Sequence, residues 1–360
     1  MRVRRLQVED LRVIRTADLS FGPGLNLISG ANGSGKTSLL EAVYVLSAGR
    51  SFRGGSVDHL VRHESQLARC VAEVEDPVAA RVHRLGIERQ NRSFEARIDG
   101  ATIDRLTDLF ALCPVVCFQP DSGILLSGPS EERRRFVDWG LFHVEPGFLA
   151  GWRRYQRALK QRNAALQSRQ TSTLSGWDEQ LLAAAEPIHT WRRDYLAGLQ
   201  AGLHRVLAAL LPELGPPRLT HRAGWSLEHT TLADALRAHR ETDLRLGYTG
   251  VGPHRAGWTL SFATVSRHEQ LSRGQTKLAA LGALLAQAED FTARRSQSPV
   301  VCFDDLTAEL DAAHQETALA LVADTGMQVL LTSAEPTEAL RSLALDSWFH
   351  VEQGQFSQRV

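Results

Sequence analysis

The sequence predicts an α/β fold with a mixed sheet core, an antiparallel β layer and an inserted, mainly helical subdomain, and three stretches predict it. Leu25 to Ile28 reads as a buried strand, residues 30–37 as a glycine-rich turn, and Ser38 to Ser47 as a helix with Leu39, Leu40, Val43 and Leu46 on one face. Ala68 to Ile103 is strand-like and broken at Asp76-Pro77 and Asp99-Gly100, both hairpin signals. From Glu145 onward the period changes: Trp152, Tyr155, Leu159 and Leu166 recur at helical spacing.

The first stretch carries chemistry. In Gly30-Ala31-Asn32-Gly33-Ser34-Gly35-Lys36-Thr37 the glycines let the backbone wrap so that several N–H groups point at one polyphosphate, and the following helix start adds partial positive charge. Lys36 supplies a point charge for the β- and γ-phosphates, and the Thr37 hydroxyl is suited to ligate Mg²⁺. All eight residues are therefore candidates to bind the phosphates of a nucleotide.

Composition narrows the rest. The 360 residues suffice for a substantial core and allow two domains. With 41 basic and 41 acidic residues the chain has no global charge to attract a polyanion, so any nucleic-acid surface must be a local patch. Cys70, Cys113, Cys117 and Cys302 sit in apolar runs without metal-ligand spacing, which favours buried, reduced thiols and a cytoplasmic location. No apolar run is long enough to span a bilayer, and Met1-Arg2-Val3-Arg4-Arg5 leads into alternating residues rather than a signal-peptide core.

In chain order, residues 2–28 read as two strands around a turn at Phe21-Gly22-Pro23-Gly24. Gly49-Arg50-Ser51-Phe52-Arg53-Gly54-Gly55 reads as a basic loop, either a solvated connection or a phosphate contact. Leu112 to Phe118 is another short apolar run, ending at Gln119-Pro120-Asp121. Ser130 is the expected N-cap of a helix carrying Arg133, Arg134 and Arg135. Between Glu145 and Asp178 there is no acid, while Arg153, Arg154, Arg157, Lys160, Arg162 and Arg169 are basic, so the amphipathic helix expected there has a basic outer face. That face is either simply solvated or a DNA contact. A second helix is expected from Trp177 to Leu211, closing a helical hairpin. Strand signals then return over Arg218 to His229, followed by a helix over Thr231 to Leu244, a turn-dense loop to Arg255 and a strand over Gly257 to Thr264.

Two later stretches complete the first. Ser272 and Gly274 stand at the start of an apolar helical run, Thr276 to Glu289, where a hydroxyl and backbone N–H groups can meet an anion. Val300-Val301-Cys302-Phe303 is an apolar strand ending in Asp304-Asp305. At the carboxyl end of a central strand Asp304 is placed to hold the Mg²⁺ that Thr37 also binds, and Asp305 to orient or deprotonate a water. Gln328 to Leu331 reads as one more buried strand, ending at Thr332-Ser333.

Phosphate loop, long insertion, Leu271-Ser272-Arg273-Gly274-Gln275 and then a strand ending in acids resembles the order of ABC-type P-loop ATPase heads. Within that group the chain resembles the RecF family, related to SMC proteins. The matching residues include Gly24-Leu25-Asn26, the loop through Ser38-Leu39-Leu40-Glu41-Ala42, Arg50 to Arg53, Pro120-Asp121, Gly128-Pro129 with Arg133 to Asp138, Gly252-Pro253-His254-Arg255, and Asp304-Asp305-Leu306 through Glu309-Leu310-Asp311. The resemblance implies a cytoplasmic, slow ATPase using ATP and Mg²⁺. It also implies Gln119 and Asp305 as catalytic residues, Asp311 at a dimer interface, and Ser272, Arg273, Gly274 and Gln275 acting in trans on a second subunit's nucleotide. Slow turnover agrees with Asp305 where transporters have glutamate and with Thr332 or Ser333 where many ABC proteins have a switch histidine. The implied partners are DNA, double-stranded and at gap junctions, contacted by some of Arg133, Arg134, Arg153, Arg154 and Arg157. RecR, with RecO and RecA in the pathway, completes the set around an ATP-dependent homodimer, and no membrane is implied.

Expected boundaries are 1–119 for the N-terminal part of the ATPase lobe, 120–217 for the inserted helical subdomain and 218–360 for the C-terminal part. The ATPase subunit of a membrane transporter is the competing reading, disfavoured by Leu40-Glu41-Ala42, the arginine helix and Asp-Asp in place of Asp-Glu. A structural SMC-like protein would need long heptad repeats that the chain lacks.

Overall fold

A computed structural model describes residues 1–54, 57–90, 93–226, 231–306, 310–323, 325–341 and 343–359. Gly55, His229 and Glu309, named above, lie outside the described residues. The first part of the chain contributes β1 (Arg2–Leu11), β2 (Ile14–Ser20), β3 (Leu25–Ser29), α1 (Lys36–Ala48), β4 (Leu67–Asp76), β5 (Arg81–Gln90), β6 (Ser93–Ile98), β7 (Ala101–Thr102), α2 (Leu106–Leu112) and β8 (Val115–Phe118). There follow α3 (Ile124–Ser127), α4 (Ser130–Val144), α5 (Phe148–Gln167), α6 (Thr171–Leu210), β9 (Pro217–Arg222), α7 (Leu232–Leu246), β10 (Gly257–Phe262) and α8 (Arg273–Arg295). The last part gives β11 (Val300–Phe303), α9 (Ala312–Ala323), β12 (Val329–Ser333), α10 (Glu338–Arg341), β13 (Ser347–Glu352) and β14 (Gln355–Arg359). This is the expected mixed α/β architecture with an antiparallel layer and a helical insertion.

Two compact units result: residues 1–122 with 281–360, and residues 123–280. The sequence placed a boundary at 217/218; in the structure residues 218–280 group with the helices instead. The reason is packing, since β9 is held along α6 by the Gln200 side chain, whose Nε2 donates to Pro217 O at 2.7 Å and whose Oε1 accepts from Leu219 N at 2.9 Å.

The first unit stacks two six-stranded sheets on α1. One runs β2-β1-β4-β5-β6-β7 and is antiparallel; the other runs β14-β13-β3-β12-β11-β8 and is parallel except for β14. Each spelling follows from its burial. β4 alternates over its length because one face is solvated, whereas every residue of β11 and β12 is buried. Leu39, Leu40, Val43 and Leu46 of α1 share one core with Leu6, Val8 and Leu85 of the first sheet and Val300 and Leu330 of the second. Residues 2–28 hold three strands, not two, because a turn at Arg12-Val13 carries no glycine or proline; Arg12 itself adopts φ 56°.

In the second unit α5 and α6 form the expected hairpin. Helix α6 begins earlier than expected and runs 40 residues with Pro187 inside it. Helix α4 packs on the β9–β10 ribbon through Phe136 and Trp258, whose rings lie 5.4 Å apart. Ser130 is not the N-cap: Pro129 holds that place and the Ser130 hydroxyl accepts from Arg134 Nη1 at 2.9 Å.

Candidate nucleotide site and basic surface

The phosphate loop joins β3 to α1 as expected. Gly33 and Gly35 adopt φ 78° and 122°, which glycine alone takes at little cost. A Cβ at Gly30 would fall 2.2 Å from Val351 O, so that position admits no side chain. The loop is tied down by Gly354 N donating to Ser34 O at 2.7 Å. Lys36 is 5% exposed, and its ammonium donates to Gly30 O at 2.6 Å and Ala31 O at 3.1 Å, above the turn it is meant to serve. Burial holds its pKa below the ordinary lysine value, opposed by the charges of Asp305 and Asp304.

Sheet register assembles the acidic side. Phe118, Phe303, Leu331 and Leu27 lie in one row across β8, β11, β12 and β3, so Gln119, Asp304, Thr332 and Ile28 follow at the same carboxyl edge. Asp304 Oδ1 accepts from Thr37 Oγ1 at 2.8 Å and from Thr332 Oγ1 at 2.9 Å. Thr332 Oγ1 in turn accepts from Asp305 N at 2.8 Å. Thr332, one of the two residues expected where a switch histidine would stand, therefore clasps both aspartates. Asp304 is 4% exposed and burial raises its pKa; the two threonine hydroxyls, then Arg53, work in the opposite direction. Arg53, in the loop left open between solvated connection and phosphate contact, thus lies close enough to act on Asp304.

Asp305 is strained and incompletely bonded. Its φ is 54°, and its Oδ1 is buried without a hydrogen-bond partner. Ser34 Oγ, in the phosphate loop, is in the same condition. The Thr37 hydroxyl and the Asp304 carboxylate, two hard oxygen donors already together, fit Mg²⁺.

A further anchor escaped the sequence. Glu41, fully buried on α1, accepts two bonds from Arg12, at 2.9 and 2.7 Å, and one from Ser51 Oγ. It fixes the middle of the phosphate-loop helix to the β1–β2 turn and to the Arg50–Arg53 loop. A glutamate among apolar neighbours at the buried face of an amphipathic helix was the available signal.

Ser272, Arg273 and Gly274 are exposed at the start of α8. Ser272 Oγ accepts from Gln275 N at 3.2 Å and Gln275 Oε1 accepts from Ser272 N at 3.1 Å, a reciprocal cap. A Cβ at Gly274 would meet nothing within 4 Å, so this chain's own packing does not demand glycine there. Asp311 caps α9: its side chain accepts from His314 N at 3.0 Å and pairs with His314 Nδ1 at 2.7 Å.

The candidate arginines divide. Arg133 Nη1 donates to Leu126 O at 2.8 Å and Gly128 O at 3.0 Å, and Arg134 Nη1 donates to Ala256 O at 2.9 Å, so both are half-buried and brace their own unit. Arg162, expected on the basic face, is fully buried against Asp178 at 2.6 Å and Asp243 at 2.7 Å. Its acids come from α6 and α7, 16 and 81 residues further on. Arg153, Arg154, Arg157 and Lys160 are exposed on α5. The arginine helix and the Gly-Pro-His-Arg loop, unconnected in the sequence, form one assembly: Arg192 joins Asp138 at 2.8 Å to Pro253 O at 2.7 Å.

Comparisons with known proteins agree with this architecture. The model of the RecF/RecN/SMC N-terminal domain matches residues 2–356. The DNA replication and repair protein RecF of Stenotrophomonas maltophilia (strain R551-3) is 44% identical over 359 residues, covering 99% of each chain. A protein of the same name from Shewanella pealeana is 36% identical over 358 residues, covering 98% of each. Among solved structures, the recombination mediator protein RecF–ATP in the RecFOR pathway superposes with a TM-score of 0.88 at 22% identity, over 99% of this chain and 97% of that one. An Smc head bound to the C-terminal winged-helix domain of ScpA gives 0.63 at 15% identity, over 100% and 97%. At those identities the structural likeness speaks for the fold.

Proposed function

The chain belongs to the RecF/RecN/SMC N-terminal domain family, and within it to RecF; on that premise we propose that it is an ATPase that binds DNA in its ATP-bound form. The observation that carries this reading is the meeting of Thr37 and Asp304 at 2.8 Å beside the phosphate loop. The backbone of residues 30–37 and Lys36 hold the phosphates, and Thr37 with Asp304 holds Mg²⁺, which supplies charge neutralisation along the polyphosphate. Asp305, with one oxygen left over and its carboxylate held by a left-handed backbone, orients the attacking water, and Gln119 lies in the same row to assist. The DNA replication and repair role that its relatives' names carry is the role we assign to this chain. ATP closes a homodimer on DNA in the cytoplasm, RecR and RecO act with it to load RecA at gapped DNA, and slow hydrolysis resets the dimer. Against the transporter alternative stand the RecF relatives matched over nearly the whole chain.

The test is DNA affinity with and without ATP and Mg²⁺. Wild type should bind only with both, and affinity should fall steeply with salt, because the exposed arginines of α5 displace counterions condensed on the DNA phosphates. Lys36→Met removes the charge facing the polyphosphate and should abolish the ATP dependence while circular dichroism shows an unchanged fold. Binding by Lys36→Met that still responds to ATP would overturn the site.

A further inference from the structure

The Gly247–Ala256 loop is held far more firmly than a solvated turn requires. Thr249 N and Oγ1 donate to Asn163 Oδ1 at 2.9 and 2.7 Å, Gly250 N donates to Asp243 Oδ1 at 3.0 Å, and Arg192 donates to Pro253 O at 2.7 Å. His254 bridges the loop to the hairpin, through Nε2 to Thr249 O at 2.9 Å and through Nδ1 to the Tyr155 hydroxyl at 2.6 Å. The carbonyl partner requires a proton on Nε2, which leaves Nδ1 to accept from Tyr155. Gly252 adopts φ 130°, and a Cβ there would fall 2.7 Å from the Tyr155 hydroxyl. Thr249, Val251, Gly252, Pro253 and Ala256 are all buried.

Between Gly247 and Ala256 only Tyr248 and Arg255 are exposed. Tyr248 is 41% exposed, and the Arg255 guanidinium lies over its ring at 5.4 Å from the centroid. An isolated surface tyrosine needs no explanation. This one is presented by a rigid frame, backed by a guanidinium, and close enough to Arg134 for the charges of Arg255 and Arg134 to act on each other. A planar aromatic face with an arginine behind it and a second cation nearby is what an unpaired nucleobase and its phosphate require.

We propose that Tyr248 and Arg255 form a stacking shelf for an unpaired base of a DNA gap, with Arg255 facing the adjoining phosphate and Arg134, braced within its own unit, adding positive charge nearby. The inference rests on the DNA-binding reading above and assigns the Gly-Pro-His-Arg loop its task. It is tested by measuring affinity at fixed salt, with ATP and Mg²⁺, for a blunt duplex, a gapped duplex and the same gapped duplex with abasic gap residues. Tyr248→Ala should weaken binding to the gapped duplex about tenfold and leave the blunt duplex unchanged, whereas Tyr248→Trp should bind both like wild type. Wild type on the abasic gap should behave like Tyr248→Ala on the intact gap. Equal gapped-DNA affinity of wild type and Tyr248→Ala overturns the shelf, and so does an equal loss on both DNAs. ATP affinity by calorimetry should be unchanged in Tyr248→Ala; a loss there would make the stacked base that of the nucleotide and overturn the assignment to DNA. A wild type that binds neither DNA would instead fail the functional reading, and the shelf with it.

Discussion

Asp304 is where the site and the fold pull against each other. Its carboxylate is buried, and burial raises its pKa above the ordinary 3.8, so its ionised form is disfavoured in the folded chain. A raised carboxyl pKa gives a stability contribution present at acid pH and lost as pH rises through the folded value, so at neutral pH the charge destabilises the protein. Thr37 and Thr332 offset part of that cost by donating to the same oxygen, and their bonds survive substitution by asparagine, whose oxygen also accepts. Asp304→Asn should therefore stabilise the nucleotide-free chain by about 1 kcal/mol, seen as a raised melting temperature, while weakening Mg²⁺-dependent ATP binding. Asp305→Asn should differ. Asparagine tolerates the left-handed backbone that Asp305 adopts, so binding and stability should hold and turnover should slow. Scanning calorimetry and ATP titration on both variants check the pair; equal loss of ATP affinity would mean that metal binding and water positioning are not divided as drawn.

At the scale of elements, the hairpin unit owes its order to buried polar groups that an apolar core would not need. His254 and His221 are pressed down to pKa values of about 4 from 6.5, mainly by burial. Both are neutral in the folded chain at physiological pH. As pH falls from 6.5 toward 4 the unfolded chain takes up protons that the folded chain refuses, so stability is full above 6.5 and is lost across that window. Each histidine should remove on the order of 2 kcal/mol by about pH 5. Urea unfolding followed across that range should show the loss, and His254→Gln should lose less than wild type between its own neutral and acid values. An identical pH slope in the variant would free His254 from this role. The same elements show what a sequence can reveal. The phosphate loop was legible because strand, turn and helix are consecutive, and Asp99-Gly100 was legible because a two-residue turn spells itself, at φ 52° and 87°. The Thr37–Asp304–Thr332 contacts depend on β12 lying between β3 and β11, an order that no local pattern encodes. Arg162 read as a surface cation because Asp243 lies 81 residues away. Strands β13 and β14 were overlooked although Gln353-Gly354, at φ 48° and 77°, marked their turn.

For the whole molecule, the open question is what the exposed start of α8 faces. The phosphate loop belongs to the first compact unit, whereas Ser272, Arg273 and Gly274 belong to the second, exposed and with free space around Gly274. Ser272 and Gln275 cap one another, which leaves the hydroxyl's lone pairs partly used and the first N–H groups of α8 available to an anion. We propose that the anion is the γ-phosphate of ATP held by Lys36 of a second copy, so that two such half-sites close a symmetric dimer. The chain then needs ATP as its joint. Mass action makes the consequence measurable: ATP with Mg²⁺ should shift wild type from monomer to dimer in sedimentation, and ADP, which lacks that phosphate, should not. Ser272→Arg places a bulky cation at the helix start and should keep the chain monomeric with saturating ATP. Each monomer's ATP affinity should stay within about twofold of wild type, because the altered residue serves the opposite half-site. Asp311, already committed as the cap of α9, should weaken dimerisation on substitution only together with a drop in melting temperature. A wild-type chain that stays monomeric with ATP and Mg²⁺, or a Ser272→Arg chain that dimerises like wild type, would remove Ser272 and Gly274 from the neighbour's site and leave them a plain helix cap.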